Sequence, residues 1–328
     1  MSKNKLNNPY SNILKSTSLF GGVQVLSILM SIVKSKLVAI FLGPTGIGIV
    51  HLLTSTSGLV STLTNFSINR SVVKNIAAVD AENDPVRISK TIIVLRRLIW
   101  ITGTLGAFGM FIFSSSLSSM AFGNKEFSEA FAWISITLLF NQISESKIAL
   151  LRGMRQLKKL AKSTLLSSFC SLIISIPIYI FFGIKGIVPV IIISSLAALL
   201  VSYYFSSTLN IKPIRIAKKE FISSSYDMLA LGLSLTLSSI IALGSSYGIN
   251  LFIRASGNID DVGFFNAGFT IVNSYFGVIF ISLTTDYYPK LAAIANQNIK
   301  AIKLMNEQSE MTLLLLAPVL VIFLIFCN

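Results

Sequence analysis

Long apolar runs separated by short polar segments dominate this sequence. Roughly 20 apolar residues in an α-helix cross the hydrocarbon core of a membrane, which is about 30 Å thick. The nine predicted spans cover approximately 16–42, 46–67, 98–121, 128–150, 163–182, 186–206, 223–253, 263–285 and 311–327. The pattern predicts an all-α fold, a polytopic membrane helix bundle.

Composition supports this prediction, since 53% of the residues are hydrophobic and 12% are charged, and the mean hydropathy is +0.76. A formal net charge of +14 could suggest a nucleic-acid partner, but the basic residues form short clusters between the apolar runs. Such clusters are typical of membrane topology signals, so no nucleic acid is expected. Cys170 and Cys327 lie in apolar runs and His51 is the single histidine, so we predict no metal site, cofactor or disulfide framework.

The basic residues also predict how the spans are oriented. Lys and Arg are concentrated in the short cytoplasmic loops of membrane proteins. If the N-terminus is cytoplasmic, the outer segments hold only Lys125, Lys185 and Arg254, and the basic loops fall inside. The inner loop between spans 2 and 3 is long enough for interfacial helices. Within it, residues 88–97 are predicted to lie on the inner leaflet, the alternative being a solvated connector.

Two lysines lie inside the first apolar run, shortly before a Gly43-Pro44 turn. A charge at membrane depth costs about 2.5 to 3.5 kcal/mol on insertion scales, so it usually faces a bundle interior or a wet cavity. The alternative is that the ammonium reaches the headgroups on its alkyl stem. Helical positions two apart point about 200° apart, so Lys34 and Lys36 cannot both face one cavity. The sequence favours Lys36 as the inward, substrate-binding cation and keeps Lys34 as the second candidate.

Polar positions in two other spans supply further candidates. Span 4 carries Thr137, Asn141, Ser144 and Glu145 at three- and four-residue spacing, which favours one side of the helix. We expect Asn141 and Glu145 either to line a cavity or to make contacts between helices, with Glu145 also able to pair with a basic residue.

Span 7 ends with Tyr247, Asn250 and Arg254 on one face. Asn250 is predicted to line a cavity. Arg254 is predicted to bind substrate, the alternative being contact with lipid headgroups.

A polar segment divides the chain into two predicted parts. We expect an N-terminal six-helix lobe over 1–206, a cytoplasmic linker over 207–222 and a partial C-terminal lobe over 223–328. A weak parallel repeat supports this division, because residues 43–48 before span 2 resemble residues 257–263 before span 8. Lys74 and Lys290 follow these turns at similar distances. Parallel repeats place a binding site at the interface between the halves.

Four motifs resemble one family of membrane transporters. They are residues 36–48 (KLVAIFLGPTGIG), 151–161 (LRGMRQLKKLA), 261–267 (DVGFFNA) and 288–291 (YPKL). Together they resemble the Wzx-type O-antigen flippases of the multidrug/oligosaccharidyl-lipid/polysaccharide exporter superfamily. The resemblance implies twelve helices in two six-helix lobes, so the nine predicted spans lead us to expect a C-terminally truncated chain.

The resemblance implies that undecaprenyl-pyrophosphate-linked O-antigen units cross the bacterial cytoplasmic (inner) membrane to its outer leaflet by alternating access. Its implied partners are this lipid-linked oligosaccharide, the lipid bilayer, a coupling ion (proton or sodium) and polysaccharide assembly proteins. The alternatives are a drug/cation antiporter of the same superfamily and an inactive truncated remnant. A membrane enzyme is not predicted, because no acid/base pair, nucleotide-phosphate loop or metal-binding carboxylate cluster is recognisable.

Overall fold

The computed structural model describes residues 9–81, 85–207, 209, 218–270, 272–273 and 298–326. All regular elements within these ranges are helical. They are α1 (Pro9–Asn65), α2 (Ile68–Ala81), α3 (Pro85–Ile112), α4 (Ser114–Phe122), α5 (Ser128–Gly153), α6 (Leu157–Phe182), a 3₁₀ turn (Gly183–Gly186), α7 (Ile187–Ser207), α8 (Lys218–Ser256), α9 (259–270) and α10 (Asn298–Phe326). The predicted all-α helix bundle is confirmed.

Helix α1 consists of two arms that meet at Gly43. This residue has φ 64° and ψ −171°, a backbone conformation that glycine adopts at little steric cost. Pro44 follows and cannot donate a backbone hydrogen bond, which also favours a break in the helix. The break falls where the sequence separates the first two predicted spans.

Four helical stretches in the described part of the chain are long and apolar enough to cross a membrane: Leu26–Asn65, Val86–Ile112, Leu157–Ser207 and Thr236–Ser256. The first has 40 residues and the third has 51, so each is long enough for two crossings. Large apolar side chains cover their outer surfaces, with Phe181 80% and Phe252 71% exposed. Such surfaces are expected to face lipid, and the chain is a multi-pass membrane protein.

The helices of the first part of the chain pack around two apolar clusters. One joins both arms of α1 to helices α3 to α7 and α9, with Leu52, Phe131 and Leu138 almost fully buried. The other joins α2, α3, α5 and α8 and includes Ile76 and Ile99. α5 contributes to both clusters, so it is a central helix of the bundle.

Residues 88–97 are part of α3, which begins at Pro85. They therefore continue directly into the following span and do not form a helix of their own, and their predicted position on the inner leaflet stays a prediction. The physical reason is tertiary packing: Ile92, Val94 and Leu95 are buried in the second cluster, so this amphipathic segment packs against protein. α2 also packs there through Ile76, although it lies in the predicted inner loop.

The chain forms two compact units, Met1–Ala267 and Gly268–Asn328. In the second unit, the described part of α10 carries an ion pair between Lys303 and Glu307, whose charged atoms lie 3.9 Å apart. This boundary is not the one predicted at 206, and the two-lobe organisation stays a prediction. Most of the linker, Lys290, motif 288–291 and Cys327 lie outside the described residues.

Candidate functional site

A cavity of about 460 Å³ lies between α1, α5, α6 and α7. Its lining is rich in serine: Ser27, Met30, Ser31, Lys34, Asn141, Ser167, Ser168, Ser171, Ile191, Ser194, Ser195 and Ala198. We call it the serine cavity. Lys34 is half-buried there, and its Nζ donates a hydrogen bond of 2.7 Å to Ser171 Oγ. The structure thus brings one predicted cation into a hydroxyl-lined space between helices.

Two hydroxyls of the serine cavity are free to bind a polar group. Ser27 Oγ and Ser194 Oγ are buried and have no hydrogen-bond partner among the described residues. Leaving a buried donor unpaired costs about 1 to 3 kcal/mol. A ligand that accepts hydrogen bonds would remove that cost.

The electrostatics of the serine cavity favour an anion. Lys34 is the only charged residue of its lining, and no acid lies among the lining residues. The ammonium offers three N–H donors, and each serine hydroxyl can donate one hydrogen bond. Hydrogen bonds from such groups to phosphate oxygens are charge-assisted, and therefore stronger than those between neutral groups. The site is suited to the phosphate end of a ligand.

Lys36 is exposed and does not line the serine cavity. This agrees with the prediction that the two lysines point in different directions, but the structure places Lys34, the second candidate, between the helices. Contact of either lysine with substrate stays a prediction.

The polar stripe of α5 is divided between two environments. Asn141 lines the serine cavity, as the sequence allowed. Thr137 and Ser144 are buried, and Ser144 Oγ donates to the carbonyl oxygen of Ala198 at 3.3 Å. Glu145 is exposed and is not part of the cavity lining. Asn141 therefore contributes to a cavity wall and Ser144 to a contact between helices, whereas Thr137 donates to the carbonyl oxygen of Ile134 on its own helix at 2.6 Å.

Sequence reasoning missed Gln142, which is buried on α5. Its side-chain oxygen accepts a hydrogen bond of 3.0 Å from Thr102, and its amide donates one of 3.3 Å to Thr64. The residue therefore links α5 to α3 and α1. A glutamine in an apolar span is a recognisable signal, because such a group usually bonds to a neighbouring helix.

The two glycine-rich turns that the sequence suggested as repeats are in contact. We call residues 43–48 and 257–263 the paired turns. Thr45 Oγ1 donates a hydrogen bond of 2.5 Å to Asp260 Oδ1. A Cβ atom added at Gly48 would collide with the carbonyl oxygen of Ile259, and one at Gly263 with that of Pro44. Glycine at both positions allows the two backbones to approach this closely.

Arg254 and Asn250 lie on α8 just before the second of these turns. The Arg254 guanidinium donates to the carbonyl oxygen of Phe122 at the end of α4. Asn250 is buried, and its Oδ1 accepts a hydrogen bond of 2.7 Å from Asn266 Nδ2 on α9. Neither residue lines the serine cavity. Arg254 thus connects α8 to the end of α4, and Asn250 connects α8 to α9. Their predicted roles in substrate binding stay predictions.

Comparison with known proteins identifies the family and a similar fold. The sequence profile of a family described as polysaccharide biosynthesis protein matches residues 13–295. Among solved structures, the fold is similar to the inward-facing conformation of a multidrug resistance MATE family transporter of the MOP superfamily. The TM-score is 0.70 at 16% identity, over 94% of this chain and 69% of the transporter. No protein of curated function matches the sequence significantly.

Proposed function

Because the chain belongs to the polysaccharide biosynthesis protein family, we propose that it moves a polyprenyl-pyrophosphate-linked oligosaccharide across the membrane. In the bacterial setting implied by the resemblance to the Wzx-type flippases, the cargo is an undecaprenyl-linked O-antigen unit in the cytoplasmic membrane. The observation that carries the proposal is the serine cavity, where Lys34 and serine hydroxyls are present without an acid. Pyrophosphate needs such donors, whereas the polyprenyl tail can remain in lipid.

The proposed orientation has a cytoplasmic N-terminus, because Lys and Arg are concentrated in the loops that this orientation places inside the cell. In that orientation the paired turns lie on the outer side of the membrane. Their contact holds the second arm of α1 against α9. Transport by alternating access then requires the paired turns to separate so that cargo reaches the outer leaflet, with a proton or sodium gradient as the energy source.

A drug/cation antiporter is the second candidate, supported by the fold that the chain shares with a multidrug transporter. An organic cation is best held by buried carboxylates. The lining of the serine cavity offers a lysine in their place. The lipid-linked anion is therefore the better-supported cargo.

Proteoliposomes containing the full chain can distinguish the two cargoes. One arm uses a polyprenyl-pyrophosphate disaccharide with a fluorescent sugar, and measures the fraction accessible to an impermeant quencher. The other arm measures uptake of the cationic dye ethidium. Movement of the labelled disaccharide that depends on the protein, without ethidium uptake, is expected. Ethidium uptake without disaccharide movement would replace the proposal with the antiporter.

A further inference from the structure

A second cavity, of about 540 Å³, opens between α3, α5 and α7 and shares no lining residue with the serine cavity. Most of its lining is apolar: Ile92, Leu95, Arg96, Ile99, Trp100, Leu139, Phe140, Ile143, Ser146, Lys147, Leu150, Leu199, Leu200 and Tyr203. We call it the α3–α5–α7 groove. Its cations are Arg96 and Lys147, and no acid is among its lining residues.

The groove is amphipathic along its length. Lys147 lies near the end of α5, and Leu139 lies eight residues earlier on the same helix. A helix rises 1.5 Å per residue, so the apolar wall extends about 12 Å beyond the ammonium. This length approaches the roughly 15 Å thickness of one hydrocarbon leaflet. Ile92 and Leu150 also line the groove, about one helical turn to the other side of the two cations. The groove therefore combines a cationic zone, which lies near one of its ends, with a longer apolar channel suited to an acyl chain.

The two cations are available to an anion. Neither Arg96 nor Lys147 forms an ion pair with a described residue. Lys147 Nζ lies 5.0 Å from the ring centroid of Tyr203, which holds the ammonium beside the groove by a cation–π contact. Glu145, the nearest acid along α5, is exposed and lies outside the groove lining.

We propose that the α3–α5–α7 groove binds an anionic phospholipid, with its phosphate at Arg96 and Lys147 and an acyl chain along the leucine and isoleucine wall. Charge complementarity and an apolar channel in one groove of a membrane protein are the basis for this occupant. Basic pockets between transmembrane helices recognise anionic headgroups in this way. The site is independent of the proposed cargo, because the serine cavity is lined by other residues.

Tryptophan fluorescence can test the proposal, because Trp100 lines the groove and the chain has only one other tryptophan, Trp133. A Trp133→Phe variant retains Trp100 as the sole reporter. The full chain is reconstituted in phosphatidylcholine with either phosphatidylglycerol or phosphatidylcholine carrying brominated acyl chains, at equal mole fraction. Brominated phosphatidylglycerol is expected to quench Trp100 with an apparent affinity at least about fivefold higher than that of brominated phosphatidylcholine. The reason is that each basic residue strengthens the attraction of an anionic lipid roughly fivefold.

Matched variants make the result specific. In the Trp133→Phe background, Arg96→Gln with Lys147→Gln is expected to bring the affinity ratio to about one. Arg152→Gln with Lys158→Gln removes the same charge from exposed residues outside the groove, and is expected to retain the preference. In a Trp100→Phe variant the remaining tryptophan is Trp133, outside the groove, and the two brominated lipids should quench it equally.

Two results would overturn the proposal. One is equal quenching by the two brominated lipids in the Trp133→Phe protein. The other is stronger displacement of brominated phosphatidylglycerol by unlabelled polyprenyl phosphate than by unlabelled phosphatidylglycerol, which would identify the groove as a site for the cargo tail.

Discussion

The hydroxyl of Thr45 donates a 2.5 Å hydrogen bond to the carboxylate of Asp260, a residue 215 positions away in the sequence. Both residues lie in glycine-rich turns, and the backbones of these turns touch at Gly48 and Gly263. The contact leaves no room for a Cβ atom at Gly48 or at Gly263, so a larger residue at either position would push the two turns apart. This contact is therefore the part of the molecule where a small substitution is expected to change a conformational equilibrium.

Gly48→Ala tests that expectation directly. The added methyl group collides with the carbonyl oxygen of Ile259, which is backbone and cannot move aside alone. We expect the paired turns to separate, so that Thr45→Cys in the same protein reacts several-fold faster with an impermeant thiol reagent added outside the cell. The rate of labelling at matched protein levels is the measurement.

Gly58→Ala is the matched control, because it lies on the same helix and a Cβ there has no neighbour within 4 Å. It should leave the labelling rate of Thr45→Cys unchanged and stabilise the helix slightly, since alanine is the better helix former by about 1 kcal/mol. Equal labelling rates for the Gly48 and Gly58 variants would show that the glycine contact does not hold the turns together.

Local sequence signals were sufficient to predict the helix bundle and the break at Gly43-Pro44, because glycine and proline act on their own backbone. They did not predict that residues 88–97 belong to α3, since burial of Ile92 and Leu95 against other helices decides this. Helical phase showed that Lys34 and Lys36 point apart, but only the positions of α6 and α7 determine which one meets Ser171. Contacts such as Thr45–Asp260 depend on the tertiary fold.

Lys34→Ala should weaken binding of the lipid-linked cargo. Loss of one charge-assisted contact to phosphate costs about 1.5 to 3 kcal/mol, which corresponds to roughly 10- to 200-fold in Kd. Titration of the purified protein with a polyprenyl-pyrophosphate disaccharide measures this loss. Lys34→Arg should retain more affinity, because the guanidinium keeps the charge and the donors.

Lys125→Ala, in an exposed loop, is the charge-matched control and should bind as the wild type does. Lys36→Ala belongs in the same series, since the sequence favoured that lysine. A larger loss of affinity for Lys36→Ala than for Lys34→Ala would move the phosphate site out of the serine cavity.

The topology can be measured with single cysteines in a chain whose Cys170 and Cys327 are replaced by serine. Asn258→Cys, in the turn between α8 and α9, is expected to react with an impermeant reagent added to intact cells. Lys158→Cys, in the basic segment after α5, should react only after the cells are opened. The reverse pattern would place the N-terminus outside and the paired turns on the cytoplasmic side.

A reversible bond between the paired turns tests whether their separation is part of transport. Thr45→Cys with Asp260→Cys, in the same serine background, replaces a side-chain hydrogen bond of 2.5 Å by two thiols that face each other. Oxidation is expected to form the disulfide and to reduce movement of the labelled disaccharide in proteoliposomes by at least about tenfold, because alternating access needs the turns apart. A reductant should restore the activity. Each single-cysteine protein, oxidised in the same way, controls for damage by the oxidant and should keep its activity. Full transport by the cross-linked protein would mean that cargo crosses without opening this contact, and the outer exit would then have to lie elsewhere among the helices.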